Sequence, residues 1–142
     1  MARKINDAGL LLIKKFEGYR NKAYKCPAGK WTIAYGHTKG VTSGLTCIPE
    51  QGEAWLREDV AAAESAVEKY DKIYHFTDNE FAALVSFTYN CGTANLASLL
   101  KNGNRNRDEI RAALPLYRKA NGKVLAGLLR RRNEELALFN KG

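Results

Sequence analysis

Long apolar runs are missing from this sequence. Near the N-terminus the longest is Leu10-Leu11-Leu12-Ile13. A secretory signal needs a longer apolar stretch, and a membrane span needs about 20 apolar residues. The expectation is a chain made in a cytoplasm, with no stable membrane insertion. Cysteine is sparse. Cys26, Cys47 and Cys91 are odd in number and widely spaced, with no CxxC pair and no close Cys/His cluster. That pattern speaks against a disulfide framework and a structural zinc site, and for free thiols in a reducing compartment. Acidic charge is short as well: 15 Asp+Glu face 23 Lys+Arg, a net charge of +8 with neutral histidines. Such a surface favours polyanions, whether nucleic acid, anionic headgroups or wall polymers, although excess charge can also serve solubility alone. Low-complexity and collagen-like repeats are absent, and no helix-turn-helix or RNA-binding signature is present, so no nucleic-acid partner is expected.

What remains is a globular chain. It has 142 residues, 45% hydrophobic and 10% aromatic, which is one domain's worth, with room for two small lobes. A chain of this length buries roughly two thirds of its unfolded surface and folds without staples. Asn6-Asp7 reads as a helix cap, with Leu10, Ile13, Lys14 and Glu17 at helical spacing and Gly18 as the stop. Ala23 to Cys26 reads as a strand and Pro27-Ala28-Gly29 as a turn. Lys30 to Tyr35 then alternates, with Trp31, Ile33 and Tyr35 on one side and Thr32 on the other. This is an antiparallel hairpin, and the Gly-rich stretch holding Gly40 and Gly44 could add a third strand.

Pro49 suits a first helical position, and a helix is expected from Glu50 to about Tyr70, weakened at Gly52. Thr77 to Glu80 has the capping-box spacing ahead of Phe81, Leu84, Val85 and Phe87, in a helix that stops at Gly92. Further helices are expected near 94–101, 107–118 and 124–139, with Pro115 kinking or ending the second of them. Strands segregated into one stretch imply an α+β fold rather than a parallel sheet. The organisation expected is a single domain over 1–142. About 17–45 form a β-containing lobe and about 50–142 a helical lobe. The first helix, near 5–17, packs near a cleft between them, where a ligand would sit.

Chemistry concentrates in residues 16–38. Glu17 ends a helix, Cys26 ends a strand, Thr32 lies on the polar face of the partner strand, and His37 closes the hairpin. Each alone has an ordinary structural explanation. Folded together, a proton donor would face a group able to activate water or attack, the pairing that glycoside hydrolysis requires. A thiol can take the second role if its pKa is lowered from about 8.5, and Arg20, Lys25 and Lys30 are near in sequence.

The stretch resembles the phage-type lysozymes, glycoside hydrolase family 24. Their motif is Glu, eight residues, Asp or Cys, five residues, Thr, and Glu17, Cys26 and Thr32 keep both spacings. Thr32 to Thr38, Ala83 to Gly92 and Gly122 to Glu135 also resemble family segments, so the likeness runs along essentially the whole chain. It implies a lysozyme-like fold and an endolysin. This is an N-acetylmuramidase cutting the β-1,4 bond between N-acetylmuramic acid and N-acetylglucosamine of bacterial peptidoglycan, causing host lysis. Glu17 corresponds to the proton donor, Cys26 to the second catalytic position in the Cys-bearing branch, and Thr32 to the residue that helps place water. His37 supports the hairpin, and Arg131, with Arg130 as its neighbour, is the basic residue brought near the glutamate. Tyr35, Tyr89 and Asn90 fall among substrate-binding positions.

No metal or organic cofactor is implied. The resemblance further implies a monomer held in the host cytoplasm and released to the wall or periplasm with the help of a holin. Ala34 stands where the family usually has glycine, Tyr117 where tryptophan is common, and Ala126 where proline is common. With Cys26 in place of Asp, activated water remains the favoured route because Thr32 is retained, and thiolate attack is the other. Two rivals compete with this reading. One is a catalytically inactive basic wall-binding protein of the same fold. The other is a cysteine amidase with Cys26 as nucleophile and His37 as base.

Overall fold

The computed structural model describes residues 2–142, so residue 1 of the expected 1–142 domain lies outside the described residues. In chain order come α1 (Asp7–Glu17), β1 (Arg20–Lys25), β2 (Trp31–Ala34), α2 (Pro49–Asp59), α3 (Ala61–Glu68) and α4 (Asp71–Tyr74). They are followed by α5 (Asp78–Cys91), α6 (Thr93–Leu100), α7 (Arg107–Ala113), β3 (Lys119–Ala120), β4 (Lys123–Val124) and α8 (Ala126–Asn140). The fold is α+β, as the segregated strand pattern implied. The chain divides into two compact units, one of Met1–Leu12 with Ala62–Gly142, the other of Ile13–Ala61.

The unit Ile13–Ala61 holds the hairpin. β1 and β2 run antiparallel with Tyr24 opposite Thr32 and Lys25 opposite Trp31, and the register slips between Arg20 and Tyr24. Its core is Ile33, Ala34 and Cys47, with Tyr19, Tyr35, Val41, Leu45 and Trp55 packed around them. Gly52 shows how tight this packing is. A Cβ there would stand 3.0 Å from Tyr19 and 3.1 Å from Ala34, so the helix gives up propensity for close approach. The Gly40–Gly44 stretch supplies no third strand; just after it, an isolated bridge joins Thr46 to Lys22.

The other unit is helical. α5 packs on α6 and α8, burying Phe81, Leu84, Phe87, Leu96, Leu99 and Phe139. The capping box forms as its spacing demands: Thr77 Oγ1 accepts from the Glu80 backbone N–H at 3.1 Å, and Glu80 Oε1 accepts from Thr77 N–H at 2.9 Å. Arg107 then grips the same carboxylate through Nε at 2.8 Å and Nη2 at 3.0 Å.

Three helix boundaries differ from the sequence reading. The single helix expected over 50–70 is broken at Val60, where α2 gives way to α3. Buried positions at Gly52, Leu56, Val60, Ala63 and Val67 keep helical phase across the break, so periodicity could not reveal it. The helix expected over 107–118 ends at Ala113, and Pro115 sits in a 3₁₀ turn after it. The last helix starts at Ala126, because residues 119–124 form a second small hairpin. Asn121 and Gly122, with φ of 52° and 77°, supply the two left-handed residues of a type I′-like turn.

Candidate active site

Glu17 is the last residue of α1. Gly18, at φ 72°, terminates the helix, and its N–H donates to the Lys14 carbonyl at 3.0 Å. The chain then reverses into β1. The half-buried Glu17 carboxylate faces the turn at the end of β2: its Oε1 lies 3.3 Å from where a Cβ on Gly36 would stand. That turn is closed by Ile33 and His37, whose backbones exchange two hydrogen bonds of 2.9 Å.

Cys26 heads the other turn of the same hairpin. Its N–H donates to the Lys30 carbonyl at 2.9 Å, and its carbonyl accepts from Gly29 N–H at 2.8 Å. The half-buried thiol is held below its ordinary pKa. The backbone N–H of Lys30 contributes most, with those of Ala28 and Cys26 and the Thr32 hydroxyl adding to it, against desolvation. Thr32 is buried, and its hydroxyl donates to the Lys30 carbonyl at 3.1 Å. One hydroxyl proton thus serves either the carbonyl or an ionised sulfur. A sulfur, a hydroxyl and a carboxylate are thereby gathered on one hairpin and the helix end that abuts it.

His37 is buried. Its Nδ1–H donates to Asp59 Oδ2 at 2.8 Å, and its ring stacks on Trp55 with centroids 4.7 Å apart and planes 4° from parallel. Asp59 and Trp55 went unnoticed in the sequence, although their i, i+4 spacing puts them on one face of α2. Tyr35 tilts against Tyr19 at 5.1 Å. It lines a cavity of about 420 Å³ with Lys14, Pro49, Glu50, Glu53, Ala54 and Arg57, to which Glu17, Cys26 and Thr32 do not contribute.

In the helical unit, Arg130 is exposed while Arg131 and Arg132 are buried. Arg131 Nε reaches Glu135 Oε2 at 3.2 Å, and Arg132 Nε reaches Glu135 Oε1 at 2.7 Å. Ser86 Oγ donates to the same carboxylate at 2.5 Å. Burial pushes the Glu135 carboxyl up, while Arg132, then Ser86 and Arg131, pull it down. The spacing Arg131, Arg132, Glu135 was the available signal for this cluster. Asn90, at the end of α5, accepts from Arg132 Nη2 at 2.8 Å. It borders a cavity of about 480 Å³ with Cys91, Asn95, Tyr117, Lys119 and Arg132. Tyr89 beside it is half-buried. All three cysteines are free thiols, and among the described residues no cluster of three or more His, Cys, Asp or Glu could hold a metal.

An α+β scaffold in which a helix ending in an acid abuts a small antiparallel hairpin is the architecture of lysozyme-type glycoside hydrolases. The family model described as phage lysozyme matches residues 14–135, and the chain belongs to that family. It is 39% identical over 142 residues to an endolysin of Acyrthosiphon pisum secondary endosymbiont phage 1, covering 95% of this chain and 97% of that one. It spans only 54–61% of four other endolysins, from Bacillus phages PZA and B103 and Lactococcus phages c2 and phivML3. Among solved structures, the active form of the P1 phage endolysin Lyz matches with a TM-score of 0.86 and 32% identity, covering 97% of this chain and 85% of that one. The muramidase domain of SpmX from Asticaccaulis excentricus matches with a TM-score of 0.82 and 38% identity, covering 96% of this chain and 97% of that one.

Proposed function

We propose that this phage-lysozyme chain is an endolysin that hydrolyses the β-1,4 bond between N-acetylmuramic acid and N-acetylglucosamine in bacterial peptidoglycan. The reading rests on one observation: Cys26 and Thr32 meet at Lys30 on the hairpin whose far turn, at Gly36, receives the Glu17 carboxylate. The likeness to a solved muramidase domain supports it.

In this mechanism Glu17 acts as the acid, giving a proton to the glycosidic oxygen as the bond to the anomeric carbon breaks. Water held by the Thr32 hydroxyl attacks that carbon from the opposite face, and the Cys26 thiolate takes the water's proton. A fresh reducing end and a neutral Cys26 result, and proton return through solvent resets the pair. His37 holds the turn against which Glu17 lies, by its bond to Asp59 and its stack on Trp55. The roles of Arg131, beside the acid, and of Tyr89 and Asn90, toward the saccharide, are carried in this proposal by the family resemblance alone.

Digestion of purified sacculi tests this. New muramic-acid reducing ends, identified by mass spectrometry after borohydride reduction, are expected. New amino groups without reducing ends would support the amidase instead. No release at all, with sacculus binding retained, would support the inactive binder. A covalent glycosyl adduct on Cys26 in a trapped reaction would replace the water route by thiolate attack.

The release route belongs to the same proposal. No helix among the described residues is long and apolar enough to cross a membrane. We infer a monomer that accumulates in the host cytoplasm until a separate holin opens the inner membrane. Relatives from phages P1 and PS119 are named SAR-endolysins, so the holin arm has its own test. Expression in bacteria is expected to lyse cells only when a holin is co-expressed, and lysis without one would contradict it.

A further inference from the structure

The helical unit carries a basic, aliphatic surface around the β3–β4 hairpin, and none of its charged or large apolar side chains has a part in the proposed chemical step. Six large apolar residues stay exposed among the described residues, and three of them, Leu116 at 62%, Val124 at 51% and Leu125 at 45%, fall within ten residues of one another. The small hairpin sets Val124 and Leu125 beside basic residues. Lys119 pairs with Val124, Ala120 with Lys123, and Leu125 N–H donates to the Arg118 carbonyl at 3.0 Å. Between Leu114 and Asn133 there is no Asp or Glu, while Arg118, Lys119, Lys123 and Arg130 carry positive charge. Arg130 is part of the same face. Its Nη2 lies 3.9 Å from where a Cβ on Gly127 would stand, over the first turn of α8, which Leu125 precedes.

Exposed aliphatic side chains ringed by Lys and Arg, with no acid in the stretch, suit one kind of partner. A wall glycan offers hydroxyls, amides and carboxylates, which Val124 and Leu125 cannot satisfy. Nucleic acid offers phosphate but nothing for the aliphatics. A bilayer of anionic phospholipid offers both at the depth required, phosphate outside and acyl chain just beneath. We propose that the β3–β4 hairpin and the first turns of α8 form a peripheral docking face for anionic phospholipid membrane. The protein rests on the membrane through it without crossing.

Co-sedimentation with vesicles tests this. One set is phosphatidylglycerol and phosphatidylcholine in equal parts, and the other is phosphatidylcholine alone. The wild type is expected to bind the first and not the second, and to be released by salt. Lys123→Ala with Arg130→Ala should weaken binding by about 25-fold, near fivefold for each lost cation. Val124→Ser with Leu125→Ser should leave only a weak, fully salt-labile fraction. Lys69→Ala with Lys72→Ala removes the same charge elsewhere and should change binding by less than about twofold. Circular dichroism confirms that each variant is folded.

Three results would overturn the proposal: equal binding to neutral vesicles, an equal loss in the Lys69/Lys72 variant, or serine variants that bind as the wild type does. Sacculus binding run in parallel identifies the rival occupant. If the hairpin variants lose the wall while keeping the vesicles, the face serves glycan and the membrane assignment is wrong.

Discussion

His37 and Asp59 are joined by a 2.8 Å hydrogen bond that ties the end of the β2 turn to the last residue of α2. The imidazole is buried, and its other contact is the Trp55 ring from the same helix. Asp59→Ala leaves a buried ring nitrogen without its partner and should cost about 1–3 kcal/mol. Asp59→Asn keeps an acceptor and should cost less. Urea unfolding is the check: the midpoint should fall with an unchanged m-value, in the order wild type, Asn, Ala.

Gly36 is the position where backbone and site chemistry meet. It sits at φ 89° with Glu17 Oε1 3.3 Å from its missing Cβ. Gly36→Ala should therefore add about 1–2 kcal/mol of backbone strain and also push the carboxylate aside. Turnover should drop on the order of tenfold to a hundredfold, as small misplacements of catalytic groups do. Gly40→Ala is the control, since φ there is 72° but nothing lies within 4 Å. It should lose similar stability and keep its activity. Equal activity loss in both variants would show that strain alone is responsible.

The two partly exposed thiols should react differently with iodoacetamide. Hydrogen bonding, led by the Lys30 backbone N–H, lowers the Cys26 pKa, whereas burial raises that of Cys91 despite nearby Arg132. As pH rises from 6, Cys26 should become thiolate first and label first, and Cys91 should follow only at a pH above the usual thiol range. Peptide mapping after timed alkylation reads the order directly. Thr32→Val should shift the Cys26 labelling profile upward in pH, because one donor to the sulfur is lost.

Glu135 holds two buried guanidiniums at once, at 3.2 Å and 2.7 Å. Glu135→Ala strands both charges and should destabilise by about 3–5 kcal/mol. Thermal unfolding of the variant should start well below that of the wild type, and a shift of only a few tenths of a kcal/mol would contradict the arrangement.

The hairpin was readable because Trp31, Ile33 and Tyr35 alternate with Thr32 and because Pro27-Ala28-Gly29 marks a turn. Capping chemistry at Thr77 and Glu80 was equally plain. The break at Val60 was hidden because helical phase continues through it. The β3–β4 hairpin was hidden for another reason: Asn121-Gly122 falls between two expected helices and passes there for a simple break, although that dipeptide favours the left-handed pair of a tight hairpin. Within the candidate site, the spacing of Glu17, Cys26 and Thr32 singles out residues 16–38. What spacing could not convey was the use of Lys30 as the shared hydrogen-bonding partner of both Cys26 and Thr32, or of Asp59 as the anchor of His37. Those contacts arise from the way the turn and α2 fold back, which local sequence does not encode.

Clearing of permeabilised bacteria by four proteins tests the central claim most directly: wild type, Glu17→Gln, Cys26→Ser and Cys26→Asp. Activity should vanish in Glu17→Gln and fall by at least about a hundredfold in Cys26→Ser, while Cys26→Asp retains it, since a carboxylate can accept the water's proton as the thiolate does. Clearing by Glu17→Gln at the wild-type rate would contradict the assignment of the acid and the mechanism built on it.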